Sequence, residues 1–427
     1  MAPWVHSFLS PQGERRLCCT SREEHTFQKQ YIDIDVDKEP QENFSPTTLA
    51  EHWNSDYMKN IRKSLMQGDR IPQCEVCNGT EFNSNSYRNW FNSRYAHYVD
   101  SVFENTVDGA TTLPVISFDY RFSNLCNFKC RMCGEQLSSS WEAEVRKHDG
   151  DMSNPHRAFM RPEIKAAMQQ FQHNVAEVEF LDAIDRGIVE EIYWTGGEPL
   201  MFDIHWKTMQ RLVDSGNSKN CVVRYNTNLS KITYQSKSLY DYLRHFKDWQ
   251  ICASIDGVGK NVEMMRKGIE WEVWLKNFKE GVALENGHDR MIVDLTITGP
   301  GLFSLKELFD IAVELDVRIE TKIIFAFHPN KILSPFAWPR AILDGYLIDL
   351  INYIEPRATH KQQGLLDVLR NMMSTPNFEQ RWPDQYLSGL KQGKRTQLRL
   401  DTIRKEQYTL ADVFAKDDSL FQWWNSL

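Results

Sequence analysis

Between residues 115 and 327 the sequence alternates six times between a short apolar run and a longer amphipathic stretch. The apolar runs, at 115–122, 189–194, 221–226, 249–255, 291–298 and 318–327, are predicted strands. In the first of them Ile116, Phe118, Tyr120 and Phe122 alternate with polar partners. The stretches 162–183, 202–215 and 304–315 have helical periodicity, and Ser304 and Glu307 are spaced as a capping box at the start of the last. Strands that alternate with helices pair in parallel through right-handed crossovers, so the predicted class is α/β. Six such units make a partial (β/α)6 barrel, with chemistry expected at the C-terminal ends of its strands.

The flanks differ from this core. Residues 1–100 are rich in turn formers, and only 47–67 has a helical repeat, with Leu49, Trp53, Tyr57, Ile61 and Leu65 four apart. A small irregular module is expected there. Residues 335–427 read as polar amphipathic helices, for example 340–354 and 360–373, without a chemical motif. The predicted layout is therefore 1–100, 111–334 and 335–427.

Charge narrows the partners. Fifty Lys and Arg against 58 Asp and Glu leave −8, which offers no basic stripe to neutralise phosphates, so nucleic acid is not expected as a partner. No apolar run approaches the roughly 18–20 residues that span a bilayer, and the first residues lack a basic then apolar leader. No membrane association is expected, and a cytoplasmic location is.

Nine cysteines in a reducing compartment argue against a disulfide framework, the more so as the count is odd. They fall as an adjacent pair (Cys18, Cys19), a C-x-x-C (Cys74, Cys77), a triplet (Cys126, Cys130, Cys133) and two singletons. The singletons Cys221 and Cys252 lie in predicted strands and read as core residues. The triplet follows the first strand as C-x3-C-x2-C. Three thiolates at that spacing can hold three irons of a [4Fe-4S] cubane and leave the fourth open to an outside chelate. A zinc loop short of one ligand and three core cysteines are the alternatives.

On these residues the chain resembles the radical S-adenosylmethionine (SAM) superfamily, over roughly residues 111–330. In that family the barrel is a partial TIM-like barrel, SAM chelates the open iron, and in many members an aromatic residue before the third cysteine packs near the adenine; here Met132 stands there, a departure whose apolar thioether can serve the same contact. The second strand ends in Gly196-Gly197-Glu198-Pro199. By itself this reads as a β-α turn capped by a glutamate. The resemblance makes it the turn that holds the SAM amino group. It likewise implies roles in SAM binding for Asn228, Ser254 and Asp256 at later strand ends, where turn chemistry is the plain alternative, and for Arg266 as partner of the SAM carboxylate.

The N-terminal cysteines, with Pro3-Trp4, Trp53-Asn54-Ser55, Arg62 and Gly68 around them, resemble the SPASM or twitch modules of peptide-modifying members, placed before the barrel instead of after it. Cys18, Cys19, Cys74 and Cys77 are then candidate ligands of an auxiliary [4Fe-4S] cluster, with zinc as the alternative metal. Adjacent cysteines are not expected both to bind one cluster. The resemblance implies reductive cleavage of SAM to a 5′-deoxyadenosyl radical that abstracts hydrogen from a substrate, and a one-electron donor such as a flavodoxin or ferredoxin. A peptide or protein side chain is the preferred substrate. The alternatives are a sugar, nucleotide or cofactor precursor, a glycyl-radical partner enzyme, or no reaction at all in a zinc-stabilised binding protein.

Overall fold

The computed structural model describes residues 1–21, 45–79, 86–149, 155–323 and 330–427. The fold is α/β with mostly parallel strands, and the chain divides into two compact units assembled from separated stretches. The first holds residues 1–126, 135–225 and 233–249; the second holds 127–134, 226–232 and 250–427.

In the first unit the strands of the main sheet are β1 (His6–Leu9), β2 (Arg15–Arg16), β3 (Ser117–Tyr120), β4 (Glu191–Trp194) and β5 (Val222–Thr227). Their order is β5-β4-β3-β1-β2, and all pairs are parallel except the hairpin of β1 with β2. On one sheet face Phe118, Tyr120 and Trp194 close around Phe180 of the helix Glu177–Asp185, with ring centroids 5.4, 5.8 and 5.9 Å apart. Alternation puts Asp119, Glu191, Tyr193 and Arg224 on the other face. There the helix Tyr87–Arg94 covers them: Phe91 packs on His6, Trp90 lies 4.3 Å from the Arg224 guanidinium, and Arg94 pairs with Glu191.

The second unit contributes three parallel strands, β6 (Asp248–Ile255), β7 (Met291–Ile297) and β8 (Arg318–Ile323). Strand β7 is buried at every position, as a central parallel strand covered on both faces must be. The helices Arg340–Ile354, Gln363–Ser374 and Pro383–Arg404 follow.

All six expected strands form, within two residues of their expected starts; the tail of the sixth, from 324, lies outside the described residues. Two helices differ from expectation. The stretch 47–67 is two helices, Leu49–Trp53 and Asp56–Met66, because Ser55 caps the second by accepting from Met58 N, while the Asn54 side chain bonds Thr111 N and O and the Arg62 guanidinium. The capping box at Ser304 does not form. Its hydroxyl instead accepts from Val258 N at 3.2 Å, tying the strand exit at Asp256–Val258 to the next helix. Cys221 and Cys252 are buried and in no disulfide, as their strand positions implied.

His205 is fully buried, its Nε2 3.0 Å from the Tyr225 hydroxyl and its Nδ1 without a partner. Burial lowers its pKa to about 3. The unfolded chain therefore binds a proton that the native state refuses, and stability present above about pH 6.5 is lost as pH falls toward 3. We expect about 2 kcal/mol of loss from this group between pH 7.5 and 5. Urea unfolding at both pH values tests it: His205→Gln should show a smaller difference between them than wild type.

Candidate functional site

The cysteine loop begins where β3 ends. Cys126 is held through its backbone: its N–H donates to Ser139 Oγ at 3.1 Å, and its carbonyl accepts from Ser140 Oγ at 2.7 Å. Both serines open the helix Ser139–His148, which Ser138 caps. The turn after β4 is stitched to the same lead-in. Gly197 N donates to Ser123 O at 3.1 Å and Glu198 N to Leu125 O at 2.7 Å. A Cβ at Gly197 would lie 2.3 Å from Leu125 O, and Gly196 has φ +122°, so both glycines are required by this backbone contact. Glu198 is 1% exposed, and its carboxylate caps the Pro199–Met201 turn by accepting from Leu200 N.

A cavity of about 540 Å³ opens beside this lead-in, bordered by Asn124, Leu125, Glu142, Lys165 and Met201. Burial raises the Glu142 carboxyl, but hydrogen bonds from Lys165, Asn124 and Arg146 outweigh it and leave the pKa below its ordinary value.

The rest of the loop, Asn127–Gly134, lies in the second unit. Cys133 N donates to Cys130 O at 3.0 Å, closing a turn around the last two thiols. Lys129–Cys130 pairs antiparallel with Arg266–Lys267, which sets Cys130 opposite Arg266. Gly268 allows that approach, since a Cβ there would meet the Phe128 ring at 2.8 Å. Asn228 donates to Asn127 Oδ1 at 3.0 Å, so this strand-end residue braces the loop. Arg266 grips Asp256 with two parallel bonds, 2.7 and 2.8 Å long, in full burial. Burial pushes the Asp256 carboxyl up and the guanidinium pulls it back, while the arginine stays charged. The Nε and Nη2 of Arg266 are thus committed within the protein. Ser254 donates to Asp294 at 2.9 Å, where Asn226 (2.9 Å) and Lys322 (2.7 Å) also converge. Asp294 and Lys322 escaped the sequence reading, although an aspartate within Met291–Ile297 was the signal. Met132 is half-buried.

The N-terminal cysteines separate. Cys18, Cys74 and Cys77 line one cavity of about 370 Å³, together with Pro3, Trp4 and Arg88. That volume is within the roughly 300–1,000 Å³ usual for ligand sites. Cys19 is not among its lining residues. It sits by Asp119 and Arg121 with a hydrogen bond to Tyr87, and burial raises its pKa to about 11. The Cys74 thiol is pushed up by burial and pulled down by Arg88. Arg62 does not line this cavity but braces Pro3, which does: it is 0% exposed and donates to Pro3 O at 2.8 Å and Gly109 O at 3.2 Å, with its guanidinium 4.6 Å from the Trp53 ring.

Both sets fit an iron–sulfur cluster by their donor chemistry: three cysteines outside any disulfide, in a loop of eight residues in one case and around one cavity in the other. Among the described residues no group of three or more His, Cys, Asp or Glu is arranged to hold a single metal ion.

Residues 120–309 match the family model described as the radical SAM superfamily. Over this stretch the chain is similar to the radical SAM superfamily. The stretch contains the cysteine loop, the Gly196-Gly197-Glu198-Pro199 turn and strands β4 to β7. The family's chemistry is that of a [4Fe-4S] cluster with SAM. Three solved structures of SuiB from Streptococcus suis are similar to the chain. SuiB bound to S-adenosylmethionine is 15% identical, with 71% of this chain and 60% of that one covered and a TM-score of 0.33. SuiB bound to the precursor peptide SuiA is 13% identical, with 72% and 62% covered and a TM-score of 0.36. SuiB alone is 14% identical, with 70% and 59% covered and a TM-score of 0.31. The chain spans about 60% of the length of these structures. No curated protein matches the sequence. No helix among the described residues is long and apolar enough to cross a membrane.

Proposed function

We propose that the chain is a radical SAM enzyme acting on a peptide or protein side chain, with residues 1–100 as an auxiliary-cluster module, 111–334 as the catalytic barrel and 335–427 as a helical extension. The observation that carries the reading is the stitching of the Gly-Gly-Glu-Pro turn to the cysteine loop's lead-in, at 3.1 and 2.7 Å. Cys126, Cys130 and Cys133 would hold the cluster that SAM chelates, and Gly196, Gly197, Glu198 and Pro199 would border the SAM amino group. When bound, the pair supplies a carbon radical able to take hydrogen from an unactivated C–H bond. The protein's share is to hold the loop, orient the substrate and exclude water. Asn228 acts here by bracing the loop through Asn127, and Asp256 by neutralising Arg266. Ser254, through Asp294, and Met132 would complete the SAM environment.

The module's cysteine order supports a second cluster on Cys18, Cys74 and Cys77, and its likeness to peptide-modifying relatives supports the peptide class. Cys19 is left out of the ligand set because it turns to Tyr87. Cys18→Ala should therefore lose the auxiliary iron while Cys19→Ala retains it. Iron and zinc analysis of the two variants decides this; zinc in place of the iron makes the site structural.

Anaerobically reconstituted protein, reduced with dithionite and given SAM, should form 5′-deoxyadenosine and methionine in equal amounts. Absence of both from an iron-loaded protein overturns the reading. Supplying peptide and small-molecule fractions from deuterated cells separates the substrate classes. Label in the deoxyadenosine from the peptide fraction supports the proposal, and label from the small-molecule fraction alone replaces it with the small-molecule reading. A flavodoxin or ferredoxin is the proposed physiological donor.

A further inference from the structure

Arg131 stands between the second and third cysteines of the loop, yet its side chain is turned inward with 0% exposure. It is held by three acceptors. Nε donates to Met264 O at 3.0 Å, Nη1 to Gln397 Oε1 at 3.0 Å, and Nη2 pairs with Asp401. Gln397 and Asp401 lie one helical turn apart on Pro383–Arg404, so they present side by side to one guanidinium. The backbone repeats the grip: Arg131 N donates to Met265 O at 2.7 Å, and Lys129–Cys130 pairs with Arg266–Lys267. That second segment is fastened to the C-terminal region in turn. Lys267 pairs with Glu406 at 2.9 Å, and Tyr408 donates to Asn261 at 2.8 Å.

We propose that the C-terminal helix Pro383–Arg404 positions the cysteine loop, with Gln397 and Asp401 gripping Arg131 so that Cys130 and Cys133 are fixed on either side of it. Arg131, Gln397 and Asp401 are positioning residues; none has to touch SAM or substrate. A buried guanidinium can be satisfied here only if all three acceptors are in place, since an unpaired buried charge is costly. The loop's geometry therefore depends on a helix more than 250 residues further along the chain. This inference rests on the loop being the cluster site, and two separate readouts keep the two claims apart.

The first needs no metal. In the metal-free full chain, trypsin should cut after Arg131 only when the side chain is released. The Gln397→Leu/Asp401→Asn variant should be cut there about tenfold faster than wild type, the scale of one lost charge-assisted bond. The second uses reconstituted protein. Chelator should strip iron from the same variant about tenfold faster, and the change that SAM makes in the cluster's EPR spectrum should broaden. Reduction potential adds a sign test. Asp401→Asn leaves the Arg131 charge uncompensated and should raise the potential, whereas Arg131→Gln leaves Asp401 uncompensated and should lower it. A merely structural loosening would move both variants the same way.

Trypsin cutting and iron release at wild-type rates in the double variant overturn the proposal, as do potential shifts of one sign. If the double variant does not fold, Asp401→Asn alone is taken through the same three measurements, and the same results support or overturn the grip. If wild type takes up no iron at the loop, the cluster assignment fails. The trypsin result then still decides the grip.

Discussion

On the proposed function, alanine at Cys126, Cys130 and Cys133 together should remove about four irons per chain and abolish SAM-dependent deoxyadenosine formation, while iron at the proposed N-terminal site should stay. The physical reason is the ligand count. Three thiolates within eight residues would be the protein's whole share of the proposed cluster, so no other cysteine of the loop could replace a lost one. Cys221 and Cys252 are buried within or beside strands and cannot move in to substitute. The fold should survive, because the three thiols are half-buried and the lead-in is fixed by backbone bonds to Ser139, Ser140, Gly197 and Glu198. Iron and sulfide quantification beside a circular dichroism melt checks both halves. An unchanged iron content would move the cluster elsewhere.

Glu191→Gln has the largest expected effect on stability. The carboxylate is 1% exposed and accepts from Arg224 at 2.7 and 2.9 Å, from the Tyr95 hydroxyl at 2.8 Å, and from Arg94. Burial pushes its pKa up, yet Arg224 and Arg94 outweigh burial and hold it below the ordinary value. The group therefore contributes stability above about pH 4.5 that is lost as pH falls through the lowered value. Neutralising it strands Arg224, which lies 4.3 Å from the Trp90 ring and 4.6 Å from that of Tyr193 and has no other carboxylate among its hydrogen-bond acceptors. Breaking such a buried pair costs about 3–5 kcal/mol. Urea unfolding measures it, and Glu191→Gln/Arg224→Met should recover part of the loss, because it removes the orphaned charge as well. A loss below about 1 kcal/mol would mean that water reaches this face.

The strands were legible because each is a short apolar run closed by turn residues, and a parallel sheet buries such runs on both faces. The position of the cysteine loop was legible because the C-x3-C-x2-C run directly follows a predicted strand, and the structure begins the loop where β3 ends. Cys18 could not be told from Cys19 in sequence; the distinction is geometric, one thiol sharing a cavity with Cys74 and Cys77 and the other turned to Tyr87. Arg266 illustrates the opposite difficulty. Its position in the chain pointed to an outside carboxylate, and the fold supplies an inside one, Asp256, ten residues earlier. Arg131 carried no signal of its own in the sequence, since its side-chain acceptors Gln397 and Asp401 lie on a helix that has no motif. Asn54–Ser55 broke a regular four-residue repeat because side-chain capping is decided by local donors, to which hydrophobic periodicity is blind.

The parallel pairing of β1 with β3 has a consequence for how the molecule is made. His6 meets Ser117 across 111 residues of chain. At about 5–20 residues per second, the first strand leaves the ribosome roughly 5–20 s before its parallel partner exists. Until then Phe8 and Leu9, both 0% exposed in the finished protein, have only the two-residue hairpin with β2 to pair with. Closing so long a loop also places this pairing among the slow steps of folding. Among the described strands of this sheet, β1 is thus the one that waits longest for its parallel partner.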